Sequence, residues 1–101
     1  MKEDELLTRD NEIIILTPRR AVTKGHIIMT TVNEYTILEE IPPALLSKMF
    51  QIANRLSSVL FDTMKCHGTN IYIQNGVSAG QINRRFSINI VPRFENDGLK
   101  L

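Results

Sequence analysis

Short runs of β-forming residues occupy both ends of this chain, and one long run of helical periodicity separates them. Residues 5–10 (ELLTRD) read as a first strand, with Asp10-Asn11 as the turn of a hairpin. Residues 12–16 (EIIIL) are a continuous apolar, β-branched run, which predicts a buried strand. Pro18 and the charges of TPRRAVTK interrupt the pattern, and residues 25–32 (GHIIMTTV) resume it. The first third therefore reads as a meander of antiparallel strands.

The middle is helical. Pro42 and Pro43 suit the first turn, where a missing N–H loses no bond, and Gly68 is the residue type expected just past a helix C-terminus. About 23 residues at 1.5 Å each make a rod of roughly 35 Å. Ser47, Gln51, Asn54, Arg55, Ser58 and Asp62 follow one polar stripe. Around the rest run Leu45, Leu46, Met49, Phe50, Ile52, Ala53, Leu56, Val59, Leu60 and Met64. That apolar sector is wider than one sheet contact requires, so the helix is expected to meet a second surface as well, such as another copy of itself.

Two further strands follow, in TNIYIQNG (69–76) and RRFSINIV (84–91). The loop between them, NGVSAGQIN, is rich in Gly and small residues, and its backbone N–H groups are candidates to meet a ligand. In the last strand Arg85, Ser87 and Asn89 share one face, and Phe86, Ile88 and Ile90 share the other.

With 101 residues, 43% apolar and 23% charged, the chain is expected to form one globular domain over 1–101. The single cysteine, Cys66, rules out an internal disulfide and a cysteine-built zinc site, and its position predicts a buried thiol. No metal site or cofactor is expected. The acidic start lacks the apolar stretch of a signal peptide, and no segment has the ~20 apolar residues of a membrane span. A cytoplasmic location with no membrane partner is expected.

The net charge of +1 argues against a dedicated nucleic-acid binder. Its distribution is more informative. The only charges between Ile13 and Asn33 are Arg19, Arg20 and Lys24, and between Cys66 and Phe94 they are Arg84, Arg85 and Arg93. All eleven acids lie outside these two windows. If the windows meet in the fold, they form a surface suited to an anion.

The order and wording of these segments resemble the histidine triad superfamily of nucleotide-binding hydrolases and transferases, from about Glu5 to Gly98. KGHIIMTTVNEYTILEEI is similar to the family's strand after a Pro-Gly-His turn. TNIYIQNGVSAGQ is similar to its Asn-Ile, Asn-Gly and Ala-Gly-Gln segment, and IVPRFENDG to its closing Ile-Pro-Arg. The resemblance implies an α+β fold, a five-stranded antiparallel sheet with one long helix. It also implies a homodimer in which two such sheets join across a two-fold axis.

In that family, Gly-Gln is followed by three alternating histidines on a strand ending in Pro-Arg. Aligning Gly80-Gln81 and Pro92-Arg93 without a gap puts Arg85, Ser87 and Asn89 on those positions. The family's middle histidine attacks the α-phosphorus, which imidazole can do because it is nucleophilic when neutral. Ser87 needs a base to be activated, Asn89 relays no proton, and Arg85 stays cationic. No catalytic residue is therefore assigned.

His26 corresponds to the histidine of Pro-Gly-His. It reads either as a base for Ser87 or as a partly buried histidine bonded to backbone or to Asn89, and the residues favour the second. Pro18 stands where the family commonly places a ribose-contacting Asn. His67 reads as a cation near the helix C-terminal dipole.

The expected function is binding of a purine nucleotide or another phosphate-containing ligand without histidine-based hydrolysis. His26, Gln74, Asn75, Gly80, Gln81, Arg85, Ser87 and Asn89 are the candidate ligand-binding residues. The alternative is a homodimeric interaction subunit or partner of an active relative. A hydrolase with altered chemistry is the third reading.

Overall fold

A computed structural model describes residues 4–99; residues 1–3 of the acidic start and the last two residues lie outside the described region. Five strands form one antiparallel sheet: β1 (Glu5–Arg9), β2 (Ile13–Thr17), β3 (Ile27–Thr31), β4 (Gly68–Tyr72) and β5 (Ser87–Arg93). The order across the sheet is β1-β2-β3-β5-β4, so β5 is inserted between β3 and β4. The α+β architecture expected from the sequence is the one observed. Among the described residues, no helix is long and apolar enough to cross a membrane.

The first hairpin closes where Asp10-Asn11 predicted. Asp10 Oδ1 accepts the N–H groups of Glu12 and Ile13, both at 2.7 Å, and fixes the turn locally. The register slips between Leu6 and Thr8, a bulge that interrupts the exposed edge strand β1.

The helix α1 (Pro43–Met64) lies across one face of the sheet. Leu45, Met49, Ala53 and Leu60 are buried against Ile13, Ile15, Met29, Ile88 and Ile90. Met29, Met49, Ile88 and Ile90 are fully excluded from solvent and form the centre of this layer. Phe50, Val59 and Phe61 remain exposed, so one face of the sheet does not cover the wide apolar sector. Ser57 bonds Thr69 at 2.8 Å, which sets this flank of α1 beside the edge strand β4.

The helix ends three residues earlier than Gly68 suggests. Lys65 adopts the left-handed cap conformation at φ 55°, and Gly68 opens β4 opposite Arg93. The N–H of His67 bonds the carbonyl of Arg93 at 2.8 Å, so pairing with β5 captures the residues that a longer helix would have used. The last strand also shifts. It begins at Ser87, leaving Arg84 and Arg85 outside the ladder, and continues through Pro92 to Arg93. The Pro92 carbonyl accepts a bond from Thr23 Oγ1, on the side where β3 has already ended. Its missing N–H faces that same side, so no β4–β5 bond is lost.

His67 is engaged with the C-terminal segment. Its Nδ1 receives the N–H of Glu95 at 2.8 Å, and its ring meets Phe94 edge-on with centroids 6.2 Å apart. Beside it, Arg93 makes two bonds of 2.8 Å to Asp97 and one of 2.7 Å to Asn70. Arg93 thereby fastens the C-terminal segment to β4, and Cys66 is buried nearby as expected.

Candidate ligand-binding cleft

The sheet face opposite α1 carries the cleft. Cross-strand registers set Ile28 of β3 and Tyr72 of β4 on either side of Asn89 of β5, with Ser87 opposite Thr30. Residues opposite one another project to the same face, so Ile28, Tyr72 and Asn89 converge. With Pro18, Val22, Gln74 and Ile82 they line a space of about 370 Å³.

His26 sits at its base and is only 4% exposed. Gly25, at φ +93°, makes the turn that delivers it; a Cβ there would stand 3.1 Å from Pro92 and 3.2 Å from Met64. Nδ1 of His26 accepts the N–H of Val22 at 3.1 Å, so the ring proton resides on Nε2. Nε2 then donates to Asn89 Oδ1 at 2.9 Å, which leaves the Asn89 amino group for the cleft. Burial lowers the His26 pKa from its ordinary value, opposed by the Asn89 bond and by the charge of Asp4. Partial burial raises that of Tyr72, so its phenol remains a hydrogen-bond donor.

The sequence-derived candidates divide into two groups. His26, Gln74, Gln81, Arg85, Ser87 and Asn89 all line the cleft. Asn75 does not belong to that lining; its Oδ1 accepts Leu38 N–H and its Nδ2 donates to Glu39, fixing the 3-10 turn Leu38–Glu40. Gly80 acts through its backbone: at φ +94° it ends the 3-10 turn Val77–Ala79, and a Cβ there would lie 2.8 Å from Gln74 Nε2.

The Gly-rich loop closes on itself. N–H groups of Ala79 and Gln81 bond the Gly76 carbonyl, and that of Gly80 bonds the Val77 carbonyl. Gln81 pins the loop, accepting Gly76 N–H at 2.7 Å and donating to the carbonyls of Thr36 and Asn83. These N–H groups therefore do not face a ligand, contrary to expectation. Arg85 is similarly engaged: Nη1 donates to the carbonyl of Thr31 at 2.6 Å and of Val32 at 3.2 Å, and Nη2 lies 3.4 Å from Glu34.

The two basic windows meet only in part. Arg20 joins Arg85 at the cleft, and Arg84 lines an adjoining groove of about 610 Å³ with Arg85 and Glu34. Arg93 instead holds Asp97, and the acid Asp4 stands in the cleft lining.

A family model for the HIT domain matches residues 1–96. The chain belongs to the HIT family. Adenylylsulfatase HINT3 of Arabidopsis thaliana is 27% identical over 93 residues, 92% of this chain and 47% of that protein. A bis(5'-nucleosyl)-tetraphosphatase (asymmetrical) of Schizosaccharomyces pombe is 26% identical over 78 residues, 77% of this chain and 43% of its own. The chain thus spans less than half the length of either curated relative. Among solved structures, a HIT family protein from Bacillus anthracis superposes with a TM-score of 0.87 at 23% identity, covering 97% of this chain and 70% of that one.

Within this HIT domain, sequence reasoning missed Tyr72, Val22, Ile28, Asn83 and Asp4 as cleft residues. Tyr72 and Ile28 become visible only through register, because each flanks Asn89 from a strand distant in sequence. The alternation of Ile71 and Tyr72 was the one local signal for the β4 contribution.

Proposed function

We propose that this HIT domain binds a nucleotide or another phosphate-containing ligand in the cleft, in the cytoplasm, and does not turn it over by histidine chemistry. The His26–Asn89 bond carries this reading. Both nitrogens of His26 are occupied, by Val22 N–H and by Asn89 Oδ1, so neither is available to attack phosphorus or to take the Ser87 proton. Ser87 is left an unactivated hydroxyl, and Asn89 a fixed donor. Arg85, Ser87 and Asn89 on the triad positions therefore make a degenerate site that retains a ligand rather than reacting with it. The names of the curated relatives, an adenylylsulfatase and a nucleosyl tetraphosphatase, support a nucleotide as ligand class.

Thermal denaturation with AMP, GMP, diadenosine polyphosphate, ATP and inorganic phosphate tests it. Binding to the native state raises the midpoint by mass action. The rise should disappear in Asn89→Ala, and chromatography should recover the ligand unchanged. No shift with any of these ligands sinks the proposal.

A second reading rests on a separate observation. Phe50 and Phe61 of α1 and Ile71 of the edge strand β4 are 43%, 42% and 44% exposed, and the Ser57–Thr69 bond sets this flank of α1 beside β4. A second copy of the chain, or a catalytically complete relative, would cover this apolar strip and extend the sheet across a two-fold axis. On this reading the chain is an interaction subunit, and it is compatible with ligand binding.

A further inference from the structure

We infer that the cleft selects a nucleotide whose phosphate carries a single negative charge, as in a diester, over a monoester dianion or a polyphosphate chain. The inference rests on the binding reading above and specifies its ligand. It follows from the groups that remain to meet an anion once the internal bonds are made.

Backbone donors are the first to be removed. The N–H groups of Gly76, Ala79, Gly80 and Gln81 are all bonded within the loop, so no nest of amides faces the cleft from them. The Arg85 guanidinium is anchored on the carbonyls of Thr31 and Val32 and lies against Glu34. Neutral donors remain: the Asn89 amino group, held outward by His26, the Ser87 hydroxyl, the Tyr72 phenol and the Gln74 side-chain amide.

The charges lead to the same conclusion. Among the described residues lining the cleft and its adjoining groove, the cations are Arg20, Arg84 and Arg85, and the acids are Asp4 and Glu34. One positive charge is left over. A singly charged phosphate is matched by that excess and by the neutral donors. A second negative charge meets Asp4 or Glu34 with no cation to offset it, and like charges brought together oppose binding.

Titration calorimetry of the full chain at about pH 7.5, where a phosphate monoester is mostly a dianion, provides the test. The probes are adenosine, AMP, the 5'-phosphate methyl ester of AMP, and ATP. The methyl ester differs from AMP by one charge and little in shape. It should bind on the order of tenfold tighter than AMP or ATP, and tighter than adenosine. In the double variant Asp4→Asn, Glu34→Gln, AMP should gain affinity and the gap should narrow, which mere loss of packing would not produce. AMP or ATP binding as tightly as the ester overturns this inference and leaves the binding reading intact. Adenosine binding as tightly as the ester shows that phosphate is not recognised and overturns it as well. If no probe binds, the binding reading fails and this inference fails with it.

Discussion

Nε2 of His26 and Oδ1 of Asn89 lie 2.9 Å apart across 63 positions of sequence, and this bond sets the chemistry of the cleft floor. Val22 N–H on the other ring nitrogen decides the tautomer, and the tautomer decides which end of the Asn89 amide faces outward. On the binding reading proposed above, His26 is a positioning residue: both of its ring nitrogens are bonded, and it holds the Asn89 amide in place.

This arrangement makes stability fall in mild acid. Burial lowers the folded pKa of His26 below its ordinary 6.5, so the unfolded chain binds the proton more readily. The contribution is complete above about 6.5 and declines as pH falls through the window between that value and the folded one, by at most about 1.4 kcal/mol per pH unit. Protonated Nδ1 would also confront the N–H of Val22. Chemical denaturation from pH 7.5 to 5 should show this decline, and His26→Gln should remove its share. His26→Ala should cost about 2–4 kcal/mol at neutral pH, since Val22 N–H and Asn89 both lose a partner.

Gly25→Ala should destabilise the fold by about 1–3 kcal/mol. At φ +93° an L side chain is strained, and its Cβ would press on Pro92 and Met64. Because Gly25 delivers His26, the variant should also lose ligand-induced thermal protection at a temperature where it is still folded. Wild-type protection in folded Gly25→Ala would count against the link between turn and cleft.

Asp97 is the acid of the C-terminal clasp. The Arg93 guanidinium, with the N–H groups of Phe94 and Leu99, holds its carboxyl well below the usual carboxylate range. Its stabilising contribution is present above the ordinary value of 3.8 and is lost as pH falls below that toward the folded pKa. Asp97→Asn should lower the midpoint of thermal unfolding at neutral pH and flatten the acid limb of the stability curve. Calorimetry over an acid series distinguishes this from a plain loss of packing, which would shift the whole curve in parallel.

The apolar strip of Phe50, Phe61 and Ile71 predicts self-association. Phe50→Asp combined with Ile71→Lys places charges on an exposed surface, so the chain should stay folded by circular dichroism. Sedimentation equilibrium should report a dimer for the parent chain and a monomer for the variant. A parent chain that is monomeric at all concentrations would remove the homodimer reading.

Core packing gives a magnitude to check against. Met49 is fully excluded from solvent between α1 and the sheet, and Met49→Ala should cost about 2–5 kcal/mol by leaving a cavity. Denaturant titration with an unchanged slope would confirm that the loss is one of packing alone.

Much of this protein was decided locally, and that part was legible in the sequence. Three isoleucines in a row, a double proline opening a 22-residue helix, and an Asp-Asn turn each specify their element through near neighbours. The alternation of Phe86, Ser87, Ile88 and Asn89 likewise sorted the core face of β5 from its cleft face. His26 and Asn89 could be paired in advance because the family resemblance placed both beside one strand.

Only the tertiary structure decided which groups remain for a ligand. Arg85 and Arg93 carry the same charge at neighbouring places in sequence, yet one is anchored on the end of β3 and the other on Asp97 and Asn70. The helix stops at Lys65 because β5 offers His67 a partner 26 residues away. Gln81 pins its loop to Thr36 across 45 positions, closing donors that composition alone left open. Long side chains and loop amides take whichever distant partner the fold brings within about 3 Å, and periodicity has no information about that choice.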